Sequence, residues 1–267
     1  MTRPAATGGA GTDPARRDQA TASTPWSQAV RAQAAMEVRL LVRSSESLLV
    51  TFGIPLGVLL FFSLVEVLPT GGQEPVGFLV PGVLAISVVA TGVVAIGIQT
   101  AFERKYGVLK RLGGTPLGRA GYLVAKSGAV AALLVVQTAL VVLVAVLALG
   151  WRPDGGLLVA GALVVLGAVM ATALGLLLAG TLRAEATIAA TNGVFLVLLL
   201  ASGVVVPLEV LPDALAAIGA LSPMGALREA LAVAFAGGGV ALGPTLALVA
   251  WAVAALVAGA RTFRWEP

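Results

Sequence analysis

The sequence predicts an all-α polytopic membrane protein: six transmembrane helices, an N-terminal interfacial helix, and a re-entrant helical pair between spans five and six. Apolar residues make up 58% of the 267 residues, charged residues make up 11%, and the mean hydropathy is +1.00. Charged residues reach about 25% in an average soluble domain. The apolar residues form six runs of about 20, the length that crosses a core of about 30 Å. Basic residues gather between these runs.

The composition also excludes several kinds of chemistry. The chain contains no cysteine and no histidine, so disulfides, thiolate chemistry and histidine-dependent metal or acid-base sites are excluded. We therefore predict no catalytic residue, no metal site and no cofactor in this chain. The pI of about 10.1 is explained by basic residues beside membrane spans, and we expect no nucleic acid partner.

The N-terminal part contains two different segments. Residues 1–25 show no apolar periodicity and are predicted to form a disordered cytoplasmic tail, while residues 26–267 form the six-span domain. Between residues 26 and 43, apolar residues recur at helical spacing and arginines lie off that line. This pattern predicts an interfacial helix in the lipid headgroups. The alternative is a cytosolic extension of the first span.

The distribution of basic residues predicts the topology. The predicted spans lie near residues 48–68, 76–98, 124–149, 157–180, 187–206 and 240–260. With the N-terminus inside, only Arg152 and Arg228 of the 17 lysines and arginines fall outside the cytoplasmic segments. The positive-inside rule then places both termini in the cytoplasm. The excess of arginine over lysine and the richness in alanine and glycine suggest a bacterial plasma membrane protein.

One dense charge cluster, residues 103–119, separates the second and third spans. Val108, Leu109 and Leu112 recur at helical spacing beside basic residues, and Gly113, Gly114 and Pro116 then stop a helix. The segment predicts a short amphipathic helix at the cytoplasmic membrane face. The alternative is a plain positive-inside loop that only fixes topology.

The stretch from residue 207 to 239 is too apolar for an exposed loop, and three prolines interrupt it. Two short helices fit this pattern. One runs from about Pro212 to Leu221, and the second has Ser222 as its N-cap and Pro223 at its first position, continuing to about Phe235. We expect the pair to dip into the bilayer from the outer face, buried against other helices.

Small and polar residues within the spans predict helix contacts. Gly53 and Gly57 lie four apart in the first span, where they favour either packing within the chain or a dimer contact. The fourth span carries a similar series at positions 167, 171 and 175. Four polar residues near the inner ends of spans two and five predict interhelical hydrogen bonds, with cargo contact as the alternative: Gln99, Thr100, Thr191 and Asn192.

The chain lacks a recognisable energy source. Glu66, Lys126 and Glu185 lie at the ends of predicted spans, and no ionisable residue lies near a midplane, where ion-coupled transporters bind their ions. No segment matches the phosphate-binding loop Gly-x-x-x-x-Gly-Lys-Ser/Thr. A separate subunit must then drive any uphill transport, and the helix at residues 108–112 is the expected docking point.

Two ordered motifs resemble the permease subunits of type-2 ABC exporters, and the length of the chain is similar to that of daunorubicin-type drug-resistance permeases. The first is similar to the family's coupling helix and comprises Glu103, Arg104, Lys105, Tyr106, Gly107, Val108, Leu109, Lys110, Arg111 and Leu112. The second is similar to the outer region before the last span and includes Ser202, Gly203, Pro207, Pro212, Ser222, Pro223, Arg228 and Glu229. The family often has Asn-Pro where this chain has Ser222-Pro223.

The resemblance implies a half-transporter without catalysis of its own. Two permeases, identical or homologous, pair with each other, and two ATPase subunits hold ATP and Mg and bind the coupling helix. The implied activity is export of a hydrophobic or amphiphilic cargo, such as a drug, antibiotic or lipid, with membrane lipids as further partners. The alternatives are a permease for lipids or lipid-linked polysaccharides and a non-transporting scaffold or sensor. A stand-alone secondary transporter is disfavoured because midplane acids are missing.

Overall fold

The computed structural model describes residues 25–43, 49–65, 74–113, 115, 117–205 and 207–263. Within these residues the regular elements are helices, and no strand occurs. The predicted N-terminal tail lies outside the described residues except for Pro25.

The helices follow one another along the chain, and a π-helical segment directly precedes two of them. A π segment at Leu49–Gly53 leads into α2, a second at Ala90–Ala95 joins α3 to α4, and a 3₁₀ turn covers Leu208–Val210. The α-helices are α1 Trp26–Arg43, α2 Ile54–Val65, α3 Pro75–Val89, α4 Ile96–Lys105, α5 Val108–Gly113, α6 Gly118–Leu149, α7 Leu157–Thr181, α8 Ala184–Ala201, α9 Asp213–Leu221, α10 Pro223–Phe235 and α11 Leu242–Thr262.

Five of these helical stretches are long and apolar enough to cross a membrane, which confirms the predicted fold class. They are Pro75–Lys105, Ala120–Leu149, Leu157–Thr181, Ala184–Ala201 and Leu242–Thr262. A shorter apolar helix at Thr51–Val65 lies where the first span is predicted, and the flanking residues 44–48 and 66–73 lie outside the described part.

Two span boundaries differ from the sequence prediction. The second span continues past residue 98 to Lys105. The charged side chains at its inner end form hydrogen bonds and ion pairs, and the backbone does not turn before Gly107, which has a φ of 72°. The fifth span ends at Ala201 rather than near residue 206. Gly203 has a φ of 75°, a conformation that glycine adopts without the steric cost of a side chain.

α7 lies at the centre of the bundle and contacts α4, α6, α10 and α11. Glycines let the helices approach closely: a Cβ added at Gly175 would lie 2.3 Å from the carbonyl oxygen of Gly92, inside the π segment. One added at Gly167 would lie 2.8 Å from the Leu227 side chain of α10. The close contacts predicted from the spacing of small residues in the fourth span are therefore confirmed.

α9 and α10, called the bent pair below, meet at an angle of 80°. The predicted cap is confirmed: the Ser222 Oγ accepts a hydrogen bond from the Gly225 amide at 3.1 Å and donates one to the Gly219 carbonyl at 2.7 Å. These bonds satisfy backbone groups at the break, as a buried break requires. α10 is deeply buried among α3, α7 and α11, and Leu227 and Leu231 are fully enclosed.

Candidate functional site

The charged segment, residues 103–113, lies between two long helices. α4 ends at Lys105, the chain turns at Tyr106 and Gly107, and α5 follows, so the predicted short helix is confirmed. The positive φ of Gly107 allows this turn, in which its amide bonds to the Arg104 carbonyl at 3.0 Å. After α5, the backbone amide of Thr115 donates to the carbonyl of Leu112 at 3.0 Å.

The two faces of α5 have different environments. Leu109 is fully buried and Leu112 is half-buried, so both anchor α5 to the rest of the chain. Leu109, one of the residues of the predicted docking segment, therefore packs against this chain's own core. The exposed side chains of the charged segment are instead Lys105, Tyr106, Val108, Lys110 and Arg111. This surface is basic and carries one exposed aromatic ring, since Tyr106 is 68% accessible.

A buried ion cluster lies behind this surface. Lys126 of α6 is fully buried, and its Nζ lies 2.9 and 2.8 Å from the two carboxylate oxygens of Glu103. The same Nζ donates to the Tyr122 hydroxyl at 2.8 Å and lies 3.7 Å from a carboxylate oxygen of Glu37. Tyr122 in turn donates to Glu103 at 2.5 Å. We call Glu37, Glu103, Tyr122 and Lys126 the Lys126 cluster.

Each carboxylate of the cluster receives a further hydrogen bond from its own helix. Gln33 donates to Glu37 at 2.9 Å, and Gln99 donates to Glu103 at 2.7 Å. Buried charges are tolerated only when they are paired and hydrogen-bonded, and these contacts meet that requirement. The cluster joins three elements: α1 supplies Glu37, α4 supplies Glu103, and α6 supplies the lysine and tyrosine.

The other side of α4 is connected to the turn between α7 and α8. The Arg104 guanidinium donates to the Leu182 carbonyl, and Lys105 forms an ion pair with Glu185. Arg104 is buried, whereas the Lys105–Glu185 pair is exposed. The end of α4 is thus linked on one side to α1 and α6 and on the other to the start of α8.

The sequence prediction noted Lys126 at the inner end of the third span but did not identify its partners. The available signal was a lysine inside a long apolar run, which requires a counter-ion. Among the predicted polar contacts, Thr100 lies 3.5 Å from the Tyr122 hydroxyl, between helices. Thr191 and Asn192 instead donate to carbonyls of their own helix.

The predicted outer-region residues gather around the bent pair. Ser202, Gly203 and Pro207 are buried in the connection after α8, Pro212 precedes α9, and Ser222 and Pro223 form the break. The Arg228 guanidinium lies 4.8 Å from the centre of the Phe78 ring of α3 and 3.4 Å from the Glu229 carboxylate. Phe78 precedes Glu103 by 25 residues in a nearly continuous helical stretch, so the two groups are separated by roughly 38 Å.

Gly53 and Gly57 do not pack against another helix within the described residues. A Cβ at Gly57 would meet nothing within 4 Å, and one at Gly53 would meet only the Leu49 side chain one turn earlier. Both glycines are exposed. In the part of the chain that the structure describes, no group of three acidic, histidine or cysteine side chains is arranged to hold a metal ion.

Comparison with protein families gives an independent result. The ABC-2 type transporter family model matches residues 28–236, from α1 to the end of α10. No curated protein sequence matches the chain. Membrane subunits of this family lack ATPase sites and typically work with a nucleotide-binding ATPase subunit. Because the match covers well over half of a multi-pass helical chain, the protein belongs to the ABC-2 type transporter family as a permease subunit.

Proposed function

We propose that this permease is the membrane half of an ATP-driven exporter of hydrophobic or amphiphilic cargo, and that its ATPase subunit docks on the charged segment. One observation carries the docking proposal: the exposed basic surface around Tyr106 is mounted on a buried anchor, Leu109, between the ends of two membrane-spanning helices. An exposed aromatic ring among cations is a common anchor of protein interfaces.

The contacts behind the surface support a mechanical role. α5 lies between α4 and α6, and Glu103 and Lys126 connect those two helices directly. A partner that moves α5 therefore pulls on both spans together. The ion pair between Lys105 and Glu185 extends the connection to α8.

The chemistry of the spans supports the proposed cargo class. Residues 75–102 contain no ionisable side chain, and neither do α7 and α11 before Arg261. Charged groups are costly at bilayer depth unless the protein provides partners for them. A path along these helices accepts apolar surface and leaves a charged cargo group at the membrane ends, as expected for amphiphilic drugs, antibiotics or lipids.

Exposed faces on α2 and α8 support pairing with a second permease. Gly53, the last residue of the π segment before α2, and Gly57 of α2 are exposed, and so are Asn192 and Gly193 of α8. Small residues let helices approach closely, and a polar amide facing lipid gains from a partner helix. Because the chain has no cysteine, Gly57→Cys and Gly193→Cys can be tested for cross-linking without background. Leu158→Cys on α7, 91% exposed, is the matched control.

The docking proposal is tested by co-purification and by transport in proteoliposomes. The double variant Lys110→Glu/Arg111→Glu reverses the charge of the surface, and Tyr106→Ala removes the aromatic ring. Both are expected to lose the co-purifying ATPase and ATP-driven export of a lipophilic dye, while membrane insertion remains normal. Arg152→Glu, an exposed charge reversal at the other end of α6, is the control. Full export by the variants would overturn the docking site. If no ATPase co-purifies with the wild-type protein, the alternative function of a non-transporting scaffold is favoured.

A further inference from the structure

α1 presents two kinds of exposed side chain that the function proposed above does not use. Among the α1 side chains that the structure describes, three arginines and three large apolar residues are exposed. The arginines are Arg31, Arg39 and Arg43, and the apolar residues are Trp26, Met36 and Leu40. Within the described residues, none of the three guanidinium groups takes part in an ion pair.

The Lys126 cluster fixes which face of α1 is exposed. Glu37 is 3% accessible and points to Lys126, while Ala29 and Val30 pack against the core. With about 100° per residue, all three arginines lie about 120–160° around the helix from Glu37. Met36 and Leu40 lie on one flank between the buried side and the arginine side. α1 is therefore held with its apolar flank and its cationic side exposed together.

This arrangement matches the chemistry of an anionic lipid surface. A helix in the plane of the membrane buries an apolar flank at the headgroup boundary and gains from cations placed beside it. Guanidinium groups bind phosphate oxygens in a bidentate geometry. Helical spacing separates Arg39 and Arg43 by about 6 Å along the axis, so each is able to contact its own headgroup.

We propose that α1 binds anionic phospholipids through Arg31, Arg39 and Arg43, and that Glu37 transmits this binding to the charged segment, so that anionic lipid regulates coupling to the ATPase. The transmission step rests on the proposed function. Glu37 and Glu103 share Lys126, so a displacement of α1 from the membrane surface changes the pairing at the end of α4. The lipid-binding step does not depend on the ATPase.

Lipid binding is tested with a fluorophore on α1. Ala35 is exposed on the arginine side, and Ala35→Cys gives a single labelling site in this cysteine-free chain. The labelled protein is placed in phosphatidylcholine nanodiscs containing a doxyl-labelled lipid, either phosphatidylglycerol or phosphatidylcholine. We expect stronger quenching by the anionic lipid, with a relative association constant on the order of fivefold or more at low salt.

The variant Arg31→Gln/Arg39→Gln/Arg43→Gln is expected to reduce that ratio to about one. The variant Arg183→Gln/Arg261→Gln, which removes two exposed arginines from other elements, is the matched control and is expected to keep it. Equal quenching by the two lipids in the wild type would overturn the lipid site. Loss of ATPase binding by the triple variant in pure phosphatidylcholine would show that the ATPase, and not lipid, occupies this face.

Transmission is tested with Glu37→Gln, which keeps the side-chain shape and removes the charge facing Lys126. This variant is expected to keep the lipid preference, while the ATPase activity of its complex no longer rises when phosphatidylglycerol is added. If phosphatidylglycerol raises the ATPase activity of the variant complex as much as that of the wild-type complex, the proposed role of Glu37 in transmission is overturned. If the wild-type permease binds no ATPase in any bilayer, the proposed function fails, and the quenching result still decides the lipid site.

Discussion

Replacing Lys126 by methionine tests whether the Lys126 cluster holds the charged end of the protein together. Methionine has a similar length and removes the cation, so Glu103 and Glu37 lose their shared partner. The Glu37 side chain is 4% accessible and that of Glu103 is 18% accessible. Removing one partner of a buried ion pair costs about 3–5 kcal/mol, because an uncompensated buried charge remains. We expect about 3 kcal/mol here, since Glu103 retains some access to water.

The measurement is equilibrium unfolding in mild detergent, followed by the fluorescence of the four tryptophans. Lys105→Met is the matched control, because it removes a lysine from an exposed pair with Glu185, and exposed pairs contribute little. The triple variant Glu37→Gln/Glu103→Gln/Lys126→Met removes all three charges and is expected to recover most of the lost stability. If Lys126→Met and Lys105→Met have the same free energy of unfolding, the stabilising role of the Lys126 cluster is refuted.

Substitutions at three further places test packing and contacts: the Gly175 contact, the buried Leu109 and the contact between Arg228 and Phe78. Gly175→Ala places a Cβ 2.3 Å from the Gly92 carbonyl oxygen, so we expect it to lower the free energy of unfolding by about 1–3 kcal/mol in the same assay. A Cβ at Gly57 meets nothing within 4 Å, so Gly57→Ala is the control and is expected to leave the free energy of unfolding unchanged. Leu109→Asp buries a carboxylate in the core and is expected to abolish stable expression, measured by detergent size-exclusion chromatography; a well-folded Leu109→Asp protein would contradict its burial. Arg228→Met is expected to lower the thermal unfolding midpoint by removing the guanidinium from the Phe78 ring. An unchanged midpoint would show that this contact contributes little.

Features encoded by neighbouring residues were predictable from the sequence. The break of the bent pair depends on Ser222 and Pro223, whose side chains act within three residues, and it was placed correctly. The long apolar runs gave spans three, four and six to within a few residues, because hydropathy over about 20 residues decides a crossing.

The Lys126 cluster was not predictable in the same way. Glu103 and Glu37 lie 23 and 89 residues from Lys126 in the chain, and their approach depends on how α1, α4 and α6 pack. The orientation of Leu109 has a similar origin. Helical spacing shows that α5 has an apolar face, but it does not show whether that face meets the chain's own core or another subunit. The π segments also lack a local signal, although Gly92 marks the close approach of α7.

The arrangement along α3 and α4 relates these features to the proposed mechanism. The Lys126 cluster holds one end of this helical stretch, and Phe78 near the other end contacts Arg228 of the bent pair. Between them, the π segment Ala90–Ala95 lies against α7 at Gly175. π segments interrupt the regular hydrogen-bond ladder and often occur at functional sites. One helical stretch therefore connects the charged segment with the bent pair, and the π segment interrupts the regular α-helical hydrogen-bond ladder between them.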